Sequence, residues 1–268
     1  MPGLFKLSTE SVSEQYMNEM HDSFHCFATW LPGIPLQIGD IGELKHNEFT
    51  HVSNLQKKGI HFTVRTYPSA GGLKHRSGGS VSMETKRVGE AAIPQFNLYY
   101  DDAGVIIRFG SKKGVVFEAA GVKHLFIKDV SWVDTAIAEA HKRGEWKDKW
   151  VVISDLVIAD SATILIAHGK GATVALKANS DVTNVSLANL DANFEMTYAD
   201  NMNTAILCQT GLAPLYKVRG IIKKHWFSDQ FEAGGRKGPG RTFSRTGGPS
   251  YIESSQPIVG EIEFKPFG

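Results

Sequence analysis

Three residues near the start of the chain carry metal-ligand chemistry. His21 and His25 stand four apart, one turn of a helix, and Cys26 adjoins them. Two imidazoles and a thiolate are zinc-type donors, but a structural site takes four ligands. No fourth is identifiable, and the three do not project one way from a helix, so plain packing or exposure accounts for them. His21-Asp22-Ser23 holds the residue types of a nucleophile relay, yet adjacency in sequence says nothing about relay geometry. Gly169-Lys-Gly-Ala-Thr173 has letters of a phosphate loop. It lacks the Gly-x-x-x-x-Gly-Lys-[Ser/Thr] spacing and sits between two strand-like runs, whereas a phosphate loop joins a strand to a helix. Gly-x-Ser-x-Gly, Cys-x-x-Cys and His-Glu-x-x-His do not occur. The expectation is therefore no catalytic constellation, no cofactor and no metal: a chain that is not an enzyme.

A different chemistry is suggested by Lys217-x-Arg219-x-x-x-Lys223-Lys224-His225-Trp226, whose cations are interleaved with Tyr216, Ile221 and Ile222. Cations attract anionic headgroups and a tryptophan favours the membrane interface. Lys217, Arg219, Lys223, Lys224 and Trp226 are thus candidate lipid-binding residues; the competing reading is a strand edge guarded by lysines. Nucleic-acid phosphate would attract the same patch, but no nucleic-acid module signature accompanies it. The formal net charge of the 268 residues is only +1, so no nucleic-acid partner is expected.

Composition bounds the rest. Hydrophobic residues make up 42% and charged residues 21%, enough to bury a core. Cys26 and Cys208 are too few for a disulfide scaffold. They are either buried thiols or a candidate redox pair. Residues 1–30 hold no continuous apolar stretch and carry Glu10, Glu14, Glu19 and Asp22, so no signal peptide is expected. No run of 18 apolar residues occurs, so no transmembrane helix is expected. The chain reads as cytoplasmic at the outset, and any crossing of a membrane would use strands.

The elements that must position these residues follow from periodicity. Ser11-x-x-Glu14 is a capping box, and Val12, Tyr16, Met20, Phe24 and Phe27 extend one helical face. Residues 36–44, 49–52 and 60–65 read as strands, and 68–79 as a loop. Val81 and Met83 alternate with polar residues, as do Phe96, Leu98 and Tyr100. Residues 105–109 and 115–120 flank a glycine-bounded segment and read as a hairpin; 163–167 and 172–178 read likewise. Ser131-x-x-Asp134 opens a central helix with Trp132, Val133, Ala136, Ile137 and Ala140 on one face, stopped by Gly144. Residues 150–159 are almost continuously apolar, as for a strand buried on both faces, and 215–226 form a last strand or helix. Residues 234–248 are rich in Gly, Arg and Pro and read as a linker, and 250–267 as a short returning strand. The fold class is α+β: a twisted antiparallel sheet with an N-terminal helix and a central connecting helix. The expected division is 1–227 as the main domain and 228–268 as a flexible linker with a short, candidate inhibitory tail.

One block has a further property. Leu190, Ala192, Phe194, Met196 and Tyr198 alternate with Asp191, Asn193, Glu195 and Thr197. A membrane-spanning strand needs about 9–11 residues with one apolar and one polar face, in a closed barrel. These five are candidate membrane-strand residues, although any half-buried strand alternates in the same way.

In order and pattern, residues 34–226 resemble the pore-forming domain of the gasdermin family, especially its short bacterial and fungal members. Ile34-Pro-Leu-Gln-Ile-Gly-Asp-Ile41 is similar to the early strand of fungal cell-death members. Val115-Val-Phe-Glu118 leads to the helix near 131–143, Trp150–Ala159 is similar to the strand after it, and Leu212–Arg219 to the closing strand. The chain departs from the bacterial members in having no cysteine near Met1, which leaves lipid anchoring unsupported, and no large C-terminal repressor domain is seen. The resemblance implies a pore-forming protein that oligomerises in anionic membranes and permeabilises them. It implies refolding of about residues 78–120 and 160–200 into membrane strands, and lytic cell death in immunity or non-self recognition. Arg236, Lys237, Arg241 and Arg245 in the linker are then candidate sites for an activating protease. The alternative is a non-enzymatic module that binds a protein partner or an anionic lipid surface without insertion.

Overall fold

The computed structural model describes residues 12–31, 33–69, 71–110, 114–178, 186–188, 194–222 and 257–265. In chain order the helices are α1 (Val12–Phe24) and α2 (Val130–Lys142). The strands before α2 are β1 (Phe27–Ala28), β2 (Asp40–Lys45), β3 (Glu48–Asn54), β4 (Val64–Pro68), β5 (Leu73–Arg76), β6 (Val81–Lys86), β7 (Ala103–Phe109), β8 (Val115–Ala120) and β9 (Lys123–Ile127). After α2 come β10 (Trp150–Ala159), β11 (Ser161–Ala167), β12 (Thr173–Ala178), β13 (Glu195–Asp200), β14 (Met202–Gln209), β15 (Leu212–Ile222) and β16 (Ile258–Glu261). The fold is α+β and mostly antiparallel sheet with two helices.

The apolar run at 150–159 becomes the spine. On one side β10 pairs with β15 from Val151 to Ala159. On the other, its first residues pair with β2 and its last with β9, the change of partner following a bulge between Ile153 and Asp155. β3 extends the β2 side and β4 the β9 side, while β1 and β16 add to β15. Tyr16, Met17 and Met20 of α1 join Val133, Ile137 and Ala140 of α2 in the core against this sheet. Helix α2 is tied to β15 by a two-pronged ion pair, Arg219 to Asp134, at 2.9 and 2.7 Å.

Several expectations are corrected. His25 adopts φ 53° and ends α1, so Phe27 belongs to β1 rather than to the helical face. The cap of α2 is Asp129, whose side chain accepts from Trp132 N at 3.0 Å. Trp132 is 55% exposed and its Nε1 donates to His61 O, so it leaves the buried face. Residues 68–79 contain a strand, β5. Phe96, Leu98 and Tyr100 form no strand: Pro94 has no N–H, Asn97 adopts φ 55°, and a 3-10 turn with one bridge results. The two expected hairpins, at 105–120 and 163–178, are not hairpins. β7 pairs with β6 and β12, whereas β8 pairs with β5 and β11. The strands on either side of each glycine-rich segment thus pair with other strands and not with each other.

Phe117 is fully buried and meets Phe24 of α1 edge-on at 5.6 Å. Phe117→Ala should lower stability by about 3–5 kcal/mol, measured as a fall in the urea midpoint at unchanged m-value.

Candidate functional site

Four long strands, each broken once, make the region with the most unusual construction. β5 continues into β6, β7 into β8, β11 into β12 and β13 into β14. The two halves form separate four-stranded sheets of matching order, β14-β11-β8-β5 and β13-β12-β7-β6. The breaks lie at one level, because backbone bonds still link them across strands. Ser77 N donates to Val115 O, Phe109 N to Ala172 O, Ala167 N to Gly114 O and His168 N to Asn201 O. Glycine is required there. Gly171 has φ +85°, and a Cβ on Gly114 would meet Phe109 at 2.6 Å.

The break also exchanges faces. In β7, Val105, Ile107 and Phe109 line an apolar crook between the two half-sheets, as does Val116 of β8. Val115, Phe117 and Ala119 of β8 point instead into the main core. Thus the β5-β8-β11-β14 sheet is covered on one face by α1 and the spine and on the other by the crook. The β6-β7-β12-β13 sheet turns an apolar face into the crook, where Met83, Ile107, Val174 and Ala199 stand in register. Its other face has two polar rows, Ser82, Arg108, Thr173 and Asp200, and Lys86, Gly104, Lys177 and Glu195, on either side of a row in which Glu84 is followed by Ile106, Ala175 and Tyr198.

Three clasps hold the covers of this bent sheet. The first joins α1 to β5. Glu19 accepts from His75 Nε2 at 2.7 Å, Ser77 Oγ at 2.6 Å and Gln15 Nε2 at 2.7 Å. His75 Nδ1 meets Ser23 Oγ at 2.7 Å. Burial raises the Glu19 pKa, but the bonds from His75, Gln15 and Ser77 outweigh it and the carboxyl sits below its ordinary value. Ser23, His75 and Glu19 thus hydrogen-bond in the order of an acyl-transfer relay. However, Ser23 stands in the last turn of α1, where the helix presents carbonyl oxygens, the wrong polarity for an oxyanion. The arrangement acts as a clamp of helix on strand.

The second clasp holds the β6–β7 connection, residues 87–102, over the polar face. Asp102 accepts from Lys177 Nζ at 2.6 Å and Tyr99 N at 2.7 Å, and those two bonds hold its pKa down. Lys86, buried, donates to Asp102 O at 2.7 Å. Phe96 and Leu98 pack on Ile106 and Ala175, which leaves Tyr99 and Tyr100 exposed. The third clasp holds residues 186–188 of the β12–β13 connection in the crook. Glu118, fully buried, accepts from Leu187 N and Arg76 Nη2, both at 2.8 Å, and Thr163 Oγ donates to Leu187 O.

The residues singled out from sequence are placed as follows. Lys217 and Arg219 lie in β15 and are engaged internally, Lys217 with Glu261 of β16 at 3.0 Å and Arg219 with Asp134. Lys223, Lys224 and Trp226 lie outside the described residues, as do Leu190, Ala192, Arg236, Lys237, Arg241 and Arg245. Phe194 and Met196 pack into the crook, but Tyr198 does not share their face. A bulge between Ala175 and Leu176 turns Tyr198 onto Phe96, at 5.1 Å. Cys26 is a free thiol whose pKa is pushed up to about 11 by burial, against an opposing pull from Lys217; the Cys208 side chain is outside the described set. His21 stacks on Phe264 at 4.3 Å, and His25 is exposed. Residues 169–172 lie in the break between β11 and β12, and Thr173 opens β12. The clasps themselves were invisible in sequence: Glu19 and His75 are 56 residues apart, and Glu118 and Leu187 are 69 apart.

The first clasp fixes a pH dependence. Glu19 has a depressed pKa, so its stabilisation is present above its unfolded value of about 4.3 and is lost as pH falls through the lower folded value. Amide exchange at His75 and Ser77 should therefore stay slow at pH 5 and accelerate only below about pH 4. In Glu19→Gln the same amides should exchange faster by about tenfold at pH 7.

No protein-family model and no curated protein sequence matches the chain. Among solved structures it is similar to a bacterial gasdermin from Bradyrhizobium tropiciagri, at 11% identity over 74% of this chain and 82% of that one, with a TM-score of 0.30.

Proposed function

We propose that this protein forms pores: it associates with anionic membranes, assembles with further copies and permeabilises the bilayer. The carrying observation is the β6-β7-β12-β13 sheet, which has one apolar face and an opposite face whose polar rows flank an apolar row covered by Phe96 and Leu98. Strands facing lipid on one side and water on the other need that division. The strands number six, seven, six and six residues, and a tilted span takes about 9–11. Each hairpin must therefore draw residues from its connection, 87–102 or 179–194, into the strands. Both connections are held by clasps, which suits a restrained resting form. Exposed Tyr99 and Tyr100 at the end of the first hairpin have the amphipathic character favoured at a membrane interface. Closure with neighbouring copies would leave no strand edge unpaired in lipid.

Restraint by the segment after the linker belongs to the same reading. β16 pairs with β15 from Arg219 to Ile222, Phe264 packs on Phe27 at 5.4 Å, and Lys265 O accepts from Asn47. A protease acting at Arg236, Lys237, Arg241 or Arg245 would leave this strand attached only by non-covalent contacts. Its loss would free Lys217 from Glu261 for anionic headgroups. Residence would pass from cytoplasm to membrane, and the outcome would be lytic cell death, in immunity or non-self recognition. The interaction-module reading has one specific observation in its favour: β4 pairs only with β9 among the described residues and all five of its residues are exposed, a free edge for a partner strand.

Dye-filled liposomes separate the two. Protein nicked within residues 234–248 should empty vesicles containing anionic lipid, while intact protein and neutral vesicles should stay near background. Binding of nicked protein to anionic vesicles without any release would favour the module and end the pore reading.

A further inference from the structure

We propose that Glu118 is the restraint that sets when the second hairpin, β12–β13, can open, acting through the strap Ser186-Leu187-Ala188. The inference rests on the pore reading for its consequence but on the resting fold for its argument. The strap is a short piece of the β12–β13 connection that runs back across the crook. Leu187 is 0% exposed and Ala188 1%, and Leu187 packs among Val105, Ile107, Val116 and Leu165. Apolar filling alone is non-directional and would tolerate sliding. What fixes the strap is that both backbone polar groups of Leu187 are taken by side chains of the other half-sheet. Its N–H is bound by Glu118 of β8 and its carbonyl by Thr163 of β11. Glu118 and Thr163 are directly opposed in the β8–β11 ladder, so one rung grips one residue from both ends.

Glu118 is suited to this because its carboxyl is fully enclosed. A buried carboxylate must have donors. Arg76 lies at 2.8 Å and Lys74 at 3.7 Å, both on β5, and the strap adds Leu187 N at 2.8 Å and Ser186 Oγ at 3.5 Å. If the strap leaves, Glu118 loses a charge-assisted bond inside the core, and Leu187 exposes its side chain and two polar groups together. The strap therefore lets go as a unit. Residues 179–194 can enter the strands only after it has done so. The grip also reaches the other hairpin, since Glu118 is on β8 and its cations on β5. Both hairpins are thus coupled through one carboxylate.

The test uses the full chain. Amide exchange is followed in the parent, in Glu118→Gln, which keeps the shape and removes the charge, and in Thr163→Val, which leaves the Glu118–Arg76 pair intact should the first variant fold poorly. Amides of β12 and β13 should exchange about 10- to 100-fold faster in the variants, with β10 and β15 unchanged. Faster exchange at Leu187 alone, or a uniform rise that includes β10, would overturn the proposal: the first would mean the strap restrains nothing, the second that Glu118 serves only global stability. Dye release is the second arm. Nicked Glu118→Gln should empty anionic vesicles about tenfold faster than nicked parent, and an equal rate would also count against the strap as the restraint. Should the nicked parent release nothing, the pore reading fails, while the exchange pattern still decides whether the strap governs the hairpin.

Discussion

A sheet can bend sharply only if all its strands bend at the same level, because each rung of hydrogen bonds ties a strand to its neighbours. That constraint organises this molecule. The breaks at 77–80, 110–114, 168–172 and 201 are aligned by backbone bonds that cross them. Once the sheet is folded over, an apolar volume forms in the crook and must be filled to core density. It is filled by alternate residues of both half-sheets together with Leu187 and Phe194. The outward faces then need covers of their own: α1 on one half, residues 87–102 on the other. The helix, the cap and the strap are all consequences of one bend.

The covers are positioned by carboxylates more than by apolar contact. Glu19, Glu118 and Asp102 each accept from two or more donors, and each joins elements distant in the chain. Burying a carboxylate is unfavourable unless its lone pairs are met, so each fixes its cover at one place. Where the cover shifts, the group is left with fewer donors. Arg219 with Asp134 repeats the device on β15.

Much of the local structure was legible in sequence. The central helix, the buried strand at 150–159, the β2–β3 pair and the strand character of 105–109, 115–120, 163–167 and 172–178 follow from periodicity and from glycine. The direction taken at the glycines did not. Gly110 and Gly114 bound a segment that suits a reversal as well as a bend, and only pairing with β5, β11 and β12 decides between them. Tyr198 shows the same limit: strict alternation put it beside Met196, and a single bulge against Ala175 and Leu176 moved it to the opposite face. The clasps were illegible for a plainer reason, since no local pattern links Ser77 to Glu19 or Thr163 to Leu187.

One inner strand carries a hydroxyl with no described partner. β11 is buried along its whole length, and a strand buried on both faces is ordinarily apolar throughout. Yet Ser161 and Thr163 occupy alternate positions, followed beyond the break by Thr173 and Lys177. Thr163 is accounted for by its bond to Leu187. Ser161 is not: its Oγ is buried with no hydrogen-bond partner among the described residues. A buried hydroxyl left unpaired costs about 1–3 kcal/mol, and an alanine in its place would fill nearly the same space. Among the described residues, then, packing accounts for Ser161 and no hydrogen bond does.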